Sequence, residues 1–524
     1  MIANFPIAYL DRRYRFSLYL FIILSIALTT RLVFFNGPFG SDDLVYLRRS
    51  LDVTYGEWAS ANYNGALRYG YNIPSGFILY LFGVNLFTAN LWPLLCSLIE
   101  IALVFRFVWN GINHKTAIYS ALFLALMPLH VAVSTRLHAD PVVSMFLTSS
   151  FIAFFKAETT GNKLAYFLTG IALGCVFWVK ELAVLTFSAF LLYPLIFRCW
   201  KFGWIYLVFG GLVMLLAHFA LMTMIAGDPL HAFKTVIGQL NRSFIGGNQG
   251  EDSPWYYFYY LFFDIKHTWL IPVLALYGIC ATIKTIFSER SVSAVAYAAY
   301  WLVSLLLVLS FFPVSLAPLK FAMKQSNYLT LFLAPIAVFA GIAIQRLPRK
   351  LGHFLVFLAL AGGIGLSFLE QQAYQVFTAN SRALVAFAEQ HPQRLVLGSV
   401  NNRNIACVYA LLGGDTCDRL RINDFADITA ELTSSNSEEA YAVIDRETLG
   451  WSPRDIKLEK APNCWRDGTL LSPADSGNSR ALLTLVLNSA TFLPASLKNK
   501  LQSLQTPQPA TLYRVDLNNL WCEG

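Results

Sequence analysis

Several short runs in this sequence set acids, bases and aromatic side chains side by side. Gly40-Ser41-Asp42-Asp43-Leu44-Val45-Tyr46 carries adjacent carboxylates. An aspartate there can deprotonate an acceptor hydroxyl or amine, or help hold a divalent cation (Mg or Mn) against a phosphate. The same residues suit a helix start, with Ser41, Asp42 or Asp43 capping Leu44–Ser50. Both roles can hold together, and spacing alone favours the cap. Arg136-Leu137-His138-Ala139-Asp140-Pro141 gathers a guanidinium, an imidazole and a carboxylate in one turn. It can bind a phosphate or orient a base, with Asp140 a further possible cation ligand. Spacing alone favours plain helix punctuation, Asp140 as cap and Pro141 in the first position. In Trp178-Val179-Lys180-Glu181 an acid–base pair interrupts a long apolar stretch, either to meet a substrate phosphate or to pair internally. Lys320 and Lys324 invite an anionic partner, either a lipid headgroup or a lipid-linked sugar phosphate. Glu251 and Asp252 add carboxylates just before the aromatic run Pro254–Phe263. No Cys-x-x-Cys or His-x-x-x-His spacing suggests zinc. The absence of a Gly-rich phosphate loop argues against a nucleotide-sugar or ATP donor.

The elements that must position these residues are apolar. Of 524 residues, 56% are hydrophobic and only 13% charged, against about 25% charged in an average soluble protein. Lipid cannot hydrogen-bond an open backbone, so long uncharged runs mean membrane helices. The net charge of +8 is then a matter of loop placement and does not imply a nucleic-acid partner. Counting runs of about 20 apolar residues gives about eleven spans, at 16–35, 88–108, 116–135, 140–156, 164–180, 182–198, 203–225, 268–287, 294–312, 326–345 and 351–369. The first follows Arg12, Arg13 and Arg15 and reads as a retained anchor. With the N-terminus in the cytoplasm, the short loops carrying Lys115, Lys156, Lys163, Arg198, Lys201, Lys284, Arg290, Arg346, Arg349 and Lys350 lie inside, as the positive-inside rule asks. The long loops 36–87 and 226–267, and loop 313–325, then lie outside, as does everything after about residue 370. The run 254–263 reads as a helix in the headgroup zone, serving as an aromatic anchor or a substrate contact.

The expected architecture is a polytopic α-helical membrane domain over 1–370 and a soluble extracytoplasmic α/β domain over 371–524. In that tail Arg394–Val400, Tyr441–Asp445, Leu482–Leu487 and Ala510–Val515 read as strands, and Arg382–Gln390 as a helix. Cys96, Cys175, Cys199 and Cys280 lie in or beside apolar runs and read as packing residues. Cys407, Cys417, Cys464 and Cys522 would suit two disulfides, with three connectivities open.

The order of these features resembles the GT-C superfamily of membrane glycosyltransferases, and within it the protein O-mannosyltransferase and lipid A aminoarabinose transferase branch. Asp42, Asp43 and Tyr46 match that branch's acidic pair and following Tyr, with Asp-Asp standing where Asp-Glu is usual. Pro74 and Phe82-Gly83-Val84 match a further pattern, but Asn72-Ile73-Pro74 lacks the branch's basic residue there. Ser134-Thr135-Arg136 through Asp140-Pro141 resembles the Ser-Arg…Asp turn, and Lys180 falls where the branch has a lysine. Pro254-Trp255-Tyr256-Tyr257 and Lys324…Tyr328…Pro335 resemble its Pro-Trp-aromatic and Lys…Tyr…Pro runs.

The resemblance implies a polyprenyl-phosphate-linked sugar as donor and a lipid, glycan or protein acceptor, at the outer face of a bacterial inner membrane. Asp42, or else Asp43, would serve as the general base of an inverting transfer. Tyr46, Arg136, His138, Asp140, Lys180, Trp255, Tyr256, Lys320, Lys324 and Tyr328 are the implied substrate-binding residues. The competing readings are a transporter or flippase of a lipid-linked substrate and an anchored assembly protein. A transporter would usually show repeated halves and charges near mid-membrane. Here the charges singled out stand at outer helix ends.

Overall fold

The computed structural model describes residues 12–246, 253–288, 293–317, 319–322, 324–425, 440–449, 460–474, 478–489 and 494–522. Glu251 and Asp252 lie outside them. The chain divides into two compact units. One comprises 1–35, 56–75 and 91–367, and the other 36–55, 76–90 and 368–524.

The first unit is built almost wholly from helices. They include α1 (Arg12–Val33), the first part of α3 (Tyr69–Phe82), α5 (Leu91–Gly111), α6 (His114–Ala125), α7 (Pro128–Ser134), α8 (Asp140–Thr160), α9 (Lys163–Val179), α10 (Phe187–Phe197) and α11 (Trp204–Ala226). After these come α12 (His231–Gly246), α13 (Tyr256–Phe262), α14 (Ile271–Ser288), α15 (Ala294–Phe311), α16 (Thr330–Arg346) and the first half of α17 (Arg349–Gln390). A hairpin of β1 (Pro313–Leu316) and β2 (Leu319–Phe321) separates α15 from α16.

Among the described residues, seven helices are long and apolar enough to cross a membrane, or eight if the pair α6 and α7, bent by 57°, counts as one span. The expectation of about eleven spans is therefore corrected. The segments expected at 164–180, 182–198 and 268–287 form shorter apolar helices, Lys163–Val179, Val184–Phe197 and Ile271–Ile286. Polar punctuation cuts them short. Lys180 is extended, Glu181–Thr186 coils into a 3-10 turn, and α10 carries Pro194 within its short length. Trp269, with φ of 54°, breaks the backbone just before α14. The orientation argument that rested on an odd count of eleven falls with it.

Helix α16 is the buried axis of this unit, while α1 and α11 bury little. Ile205, Val208, Phe209, Leu212 and Leu216 stand exposed along α11, as expected of a face turned to lipid. Close packing uses small residues. A Cβ on Gly170 of α9 would run into the backbone of α11 at Leu207, and one on Gly210 into that of α9 at Phe167.

The second unit holds α2 (Asp42–Tyr55), the end of α3, α4 (Leu86–Ala89), the second half of α17, α18 (Val400–Leu412), α19 (Asn478–Ser489) and α20 (Ala495–Ser503). Its sheet joins β3 (Val396–Gly398), β4 (Ile422–Asp424), β5 (Ala440–Ile444), β6 (Arg466–Leu471) and β7 (Ala510–Val515) in the order β4-β3-β5-β7-β6. β3 is parallel to both β4 and β5, and β7 is antiparallel to β5 and β6. Side-chain alternation builds two cores. Val396, Tyr441, Val443 and Leu512 face one with Leu384 and Ala388 of α17. Leu395, Leu397, Ala442 and Ile444 face the other with Trp465 and Phe425.

Leu482–Leu487, expected as a strand, belongs to α19. Leu483 and Leu487, four apart, are buried, while Leu482, Leu485 and Val486 are exposed, which is a helical period. The separate helix expected at 382–390 is the end of the 42-residue α17. Disulfides join Cys407 to Cys417 and Cys464 to Cys522.

Candidate functional site

In the first unit, the turn after α7 brings His138 and Asp140 to the start of α8, and the end of α9 brings Lys180. Asp140 is 1% exposed, so its charge requires partners. Lys180 Nζ donates to Asp140 Oδ1 at 2.7 Å. Asn327 Nδ2 donates to Oδ2 at 2.8 Å, and His138 Nδ1 lies 2.7 Å from the same oxygen. The ammonium of Lys180 also stands 4.2 Å from the centroid of the Tyr328 ring, close enough for a cation–π contact. Of the residues expected to bind substrate, His138, Asp140, Lys180 and Tyr328 thus gather on one carboxylate.

Lys180 and Glu181 do not pair with each other. Glu181 turns to Arg68, whose Nη2 lies 3.1 Å from Oε1, and to Asn64, whose Nδ2 donates to Oε1 at 2.6 Å. Burial opposes ionisation of Glu181, but the charge and hydrogen bond of Arg68 outweigh it and hold the carboxyl below its ordinary value. Two adjacent residues therefore tie the end of α9 to two different places. Asn327, Arg68 and Asn64 were not among the sequence-derived candidates. Nothing in their local sequence marks them, because each acquires its role from a partner more than a hundred positions away.

The other candidates of this unit stand as follows. Arg136 is half-buried on the turn that carries His138. Trp255 is exposed and meets Phe311 edge-on at 6.2 Å. Tyr256 lies 4.5 Å from Tyr260 between ring centroids, and the buried tyrosine of that run is Tyr257, packed on Phe332 at 5.1 Å. Lys320 is half-buried in β2. Lys324 is fully buried, with Nζ donating to the Ala322 carbonyl at 3.0 Å.

In the second unit, Asp42 and Asp43 open α2. Asp43 is buried and its Oδ2 accepts from the Phe39 amide at 2.8 Å, whereas Asp42 is half-buried. Tyr46 is buried one turn further along. The preceding segment is held firmly. Phe39 stacks on Phe377 at 4.6 Å and meets Tyr374 at 5.0 Å, both on α17. Gly40 has φ of +87°, and a Cβ there would strike Ile405 of α18, so glycine is required for both reasons. Arg48 donates to the sulfurs of Cys417 and Cys407 at 3.0 and 3.3 Å.

Asp140 has its oxygens engaged by Lys180, Asn327 and His138. Among the described residues, no three His, Cys, Asp or Glu side chains gather as a metal site. The described residues do not form a set that fits a divalent cation.

Residues 75–222 match the family model described as dolichyl-phosphate-mannose-protein mannosyltransferase. That stretch contains Asp140 and Lys180 but not Asp42 or Asp43. No curated protein sequence matches the chain. Among solved structures, the chain is similar to ArnT from Cupriavidus metallidurans in the apo state, with 16% identity and a TM-score of 0.58 over 82% of this chain and 94% of that one. It is similar also to the same protein bound to undecaprenyl phosphate, with 15% identity and a TM-score of 0.53 over 82% and 93%. The chain is thus a polytopic α-helical membrane protein whose fold is similar to these structures, with residues 75–222 matching the mannosyltransferase family model.

Proposed function

We propose that the protein is a GT-C-type glycosyltransferase that takes its sugar from a polyprenyl-phosphate donor and passes it to a lipid, glycan or protein acceptor. The observation that carries this reading is the buried Asp140–Lys180–His138–Asn327 cluster at a membrane-helix end, of which Asp140, Lys180 and His138 lie in the family-matched stretch. A buried carboxylate holding a lysine and an imidazole in fixed directions is a preorganised setting for an anionic headgroup. Asp140 orients, while Lys180 and His138 meet the donor phosphate. As the bond from the anomeric carbon to the phosphate oxygen breaks, the positive field of Lys180 stabilises the leaving phosphate. Arg136, Trp255, Tyr256, Lys320, Lys324, Tyr328 and Tyr46 remain candidate contacts for donor or acceptor.

Asp42 is the proposed general base, ahead of Asp43, since Asp42 is partly exposed whereas Asp43 is buried. It removes the acceptor proton as the acceptor oxygen or nitrogen attacks the anomeric carbon and inverts it. The location proposed is a bacterial inner membrane, with the N-terminus in the cytoplasm and the domain of 371–524 in the periplasm. The bonds Cys407–Cys417 and Cys464–Cys522 support an oxidising compartment for that domain.

Donor choice is tested by native mass spectrometry of the purified protein in nanodiscs. Retention of a polyprenyl-phosphate sugar, with no retention of nucleotide sugars, is expected. Retention of nucleotide sugars alone contradicts the reading.

A further inference from the structure

Within the first unit, a second polar chain lies wholly inside the apolar helices and has no part in the mechanism above. Arg31 of α1, Glu100 of α5 and His130 of α7 are 0%, 0% and 1% exposed. Ionisable groups at such depth are costly unless they are partnered and used. Arg31 Nη2 approaches His130 Nδ1 at 2.7 Å, and His130 Nε2 approaches Glu100 Oε2 at 3.2 Å. A guanidinium can only donate. His130 Nδ1 must therefore accept, so its proton sits on Nε2 and is donated to Glu100. The other oxygen of Glu100, Oε1, accepts from Ser144 at 2.8 Å and from Thr148 at 2.9 Å, both on α8. Arg31 is anchored by Ser97 at 2.8 Å and by the carbonyls of Ala27 and Ala125 at 2.9 and 3.1 Å. Ala125 ends α6, so Arg31 satisfies a carbonyl freed by the break before α7.

The two oxygens of Glu100 are thus divided. One holds α7, and the other holds α8 one and two turns beyond Asp140. Helices α7 and α8 are the two walls of the turn that carries Arg136, His138 and Asp140. We propose that Glu100, with His130 and Arg31, is a positioning device that clamps this turn from inside the membrane and so fixes the Asp140–Lys180 pair. Glu100, His130 and Arg31 act through Asp140. The direction of donation, from Arg31 through His130 to Glu100, fixes the imidazole tautomer, so a neutral side chain at 100 upsets both walls together.

The test uses full-length protein in nanodiscs and has two arms. The first is hydrogen–deuterium exchange of wild type, Glu100→Gln and the isosteric Thr148→Val. The expected result for Glu100→Gln is exchange about tenfold or more faster over 135–143, as a lost coupling of this kind would give, with 440–444 and 510–515 unchanged. The second arm is sugar transfer, which rests on the proposed function. Counted per mole of folded protein, Glu100→Gln lowers kcat about tenfold with donor KM within about twofold, and this normalisation removes the fall in apparent kcat that lost folded protein would give. Wild-type exchange over 135–143 in a folded Glu100→Gln protein overturns the proposal, as does faster exchange there with kcat unchanged. If Glu100→Gln loosens the whole chain, Thr148→Val decides, with a confined rise supporting the clamp and wild-type behaviour overturning it. If wild type transfers no sugar, the glycosyltransferase reading fails and the exchange arm still judges the clamp.

Discussion

Lys180 Nζ stands 2.7 Å from Asp140 Oδ1, joining the end of one apolar helix to the start of another. Its sequence neighbour Glu181 is committed elsewhere, to Arg68. Both members of the Asp140–Lys180 pair are buried, so each depends on the other to offset the loss of water.

Removing one member leaves an uncompensated buried charge, which costs about 3–5 kcal/mol. Asp140→Asn and Lys180→Met are each expected to lower the Tm in nanodiscs and to abolish sugar transfer. The double variant should recover a large part of the Tm and none of the transfer. Additive losses of Tm would contradict the pairing.

The Glu181 carboxyl is held below its ordinary value of 4.5 by Arg68 against the effect of burial. A depressed carboxyl contributes stability that is present above the unfolded-state pKa and lost as pH falls through the folded value. Thermal stability should therefore drop on acidification below about pH 4.5. Glu181→Gln should flatten that limb, measured by Tm between neutral and acid pH. An unchanged acid limb in Glu181→Gln would assign the loss to other groups.

At the start of α2, the two aspartates should separate by phenotype. Asp42→Asn is expected to keep the wild-type Tm and lose transfer. Asp43→Ala removes the acceptor of the Phe39 amide and is expected to cost about 0.5–2 kcal/mol, as helix-start acceptors usually do. Denaturation of both variants beside wild type reads the difference.

Cys464–Cys522 closes a separation of 58 residues and Cys407–Cys417 one of 10. Chain entropy assigns them about 4 and 3 kcal/mol. Reduction should lower the Tm of the sheet-bearing domain, and Cys464→Ala should do so more than Cys417→Ala. Equal behaviour with and without reductant would argue against both bonds.

Much of this is legible in the sequence alone. The apolar runs lie where most of the helices do, and the Arg136–Asp140 turn and Lys180 stand out as charges at helix ends. Strand alternation at 396–398, 440–444 and 510–515 was readable for the same reason: one face is buried against each core. The span count was not legible, because apolar composition at 164–180, 182–198 and 268–287 hides the turns at Lys180 and Trp269 that shorten those helices. Leu482–Leu487 failed because a short apolar run carries no periodicity of its own. Asn327, Arg68 and Asn64 were invisible, since partners so far apart in sequence meet only through the fold. Glu100 was the omission that had a signal, a lone acid inside the apolar run 88–108.

The most direct test of the central claim is sugar transfer by purified protein in lipid, from a panel of radiolabelled polyprenyl-phosphate sugars, with wild type set beside Asp42→Asn. The account predicts that wild type releases free polyprenyl phosphate and passes the label from one donor, and that the folded variant does neither. Transfer at the wild-type rate by Asp42→Asn would contradict the assigned base. No turnover of any donor by wild type, with the lipid moved intact from one leaflet to the other, would contradict the glycosyltransferase itself.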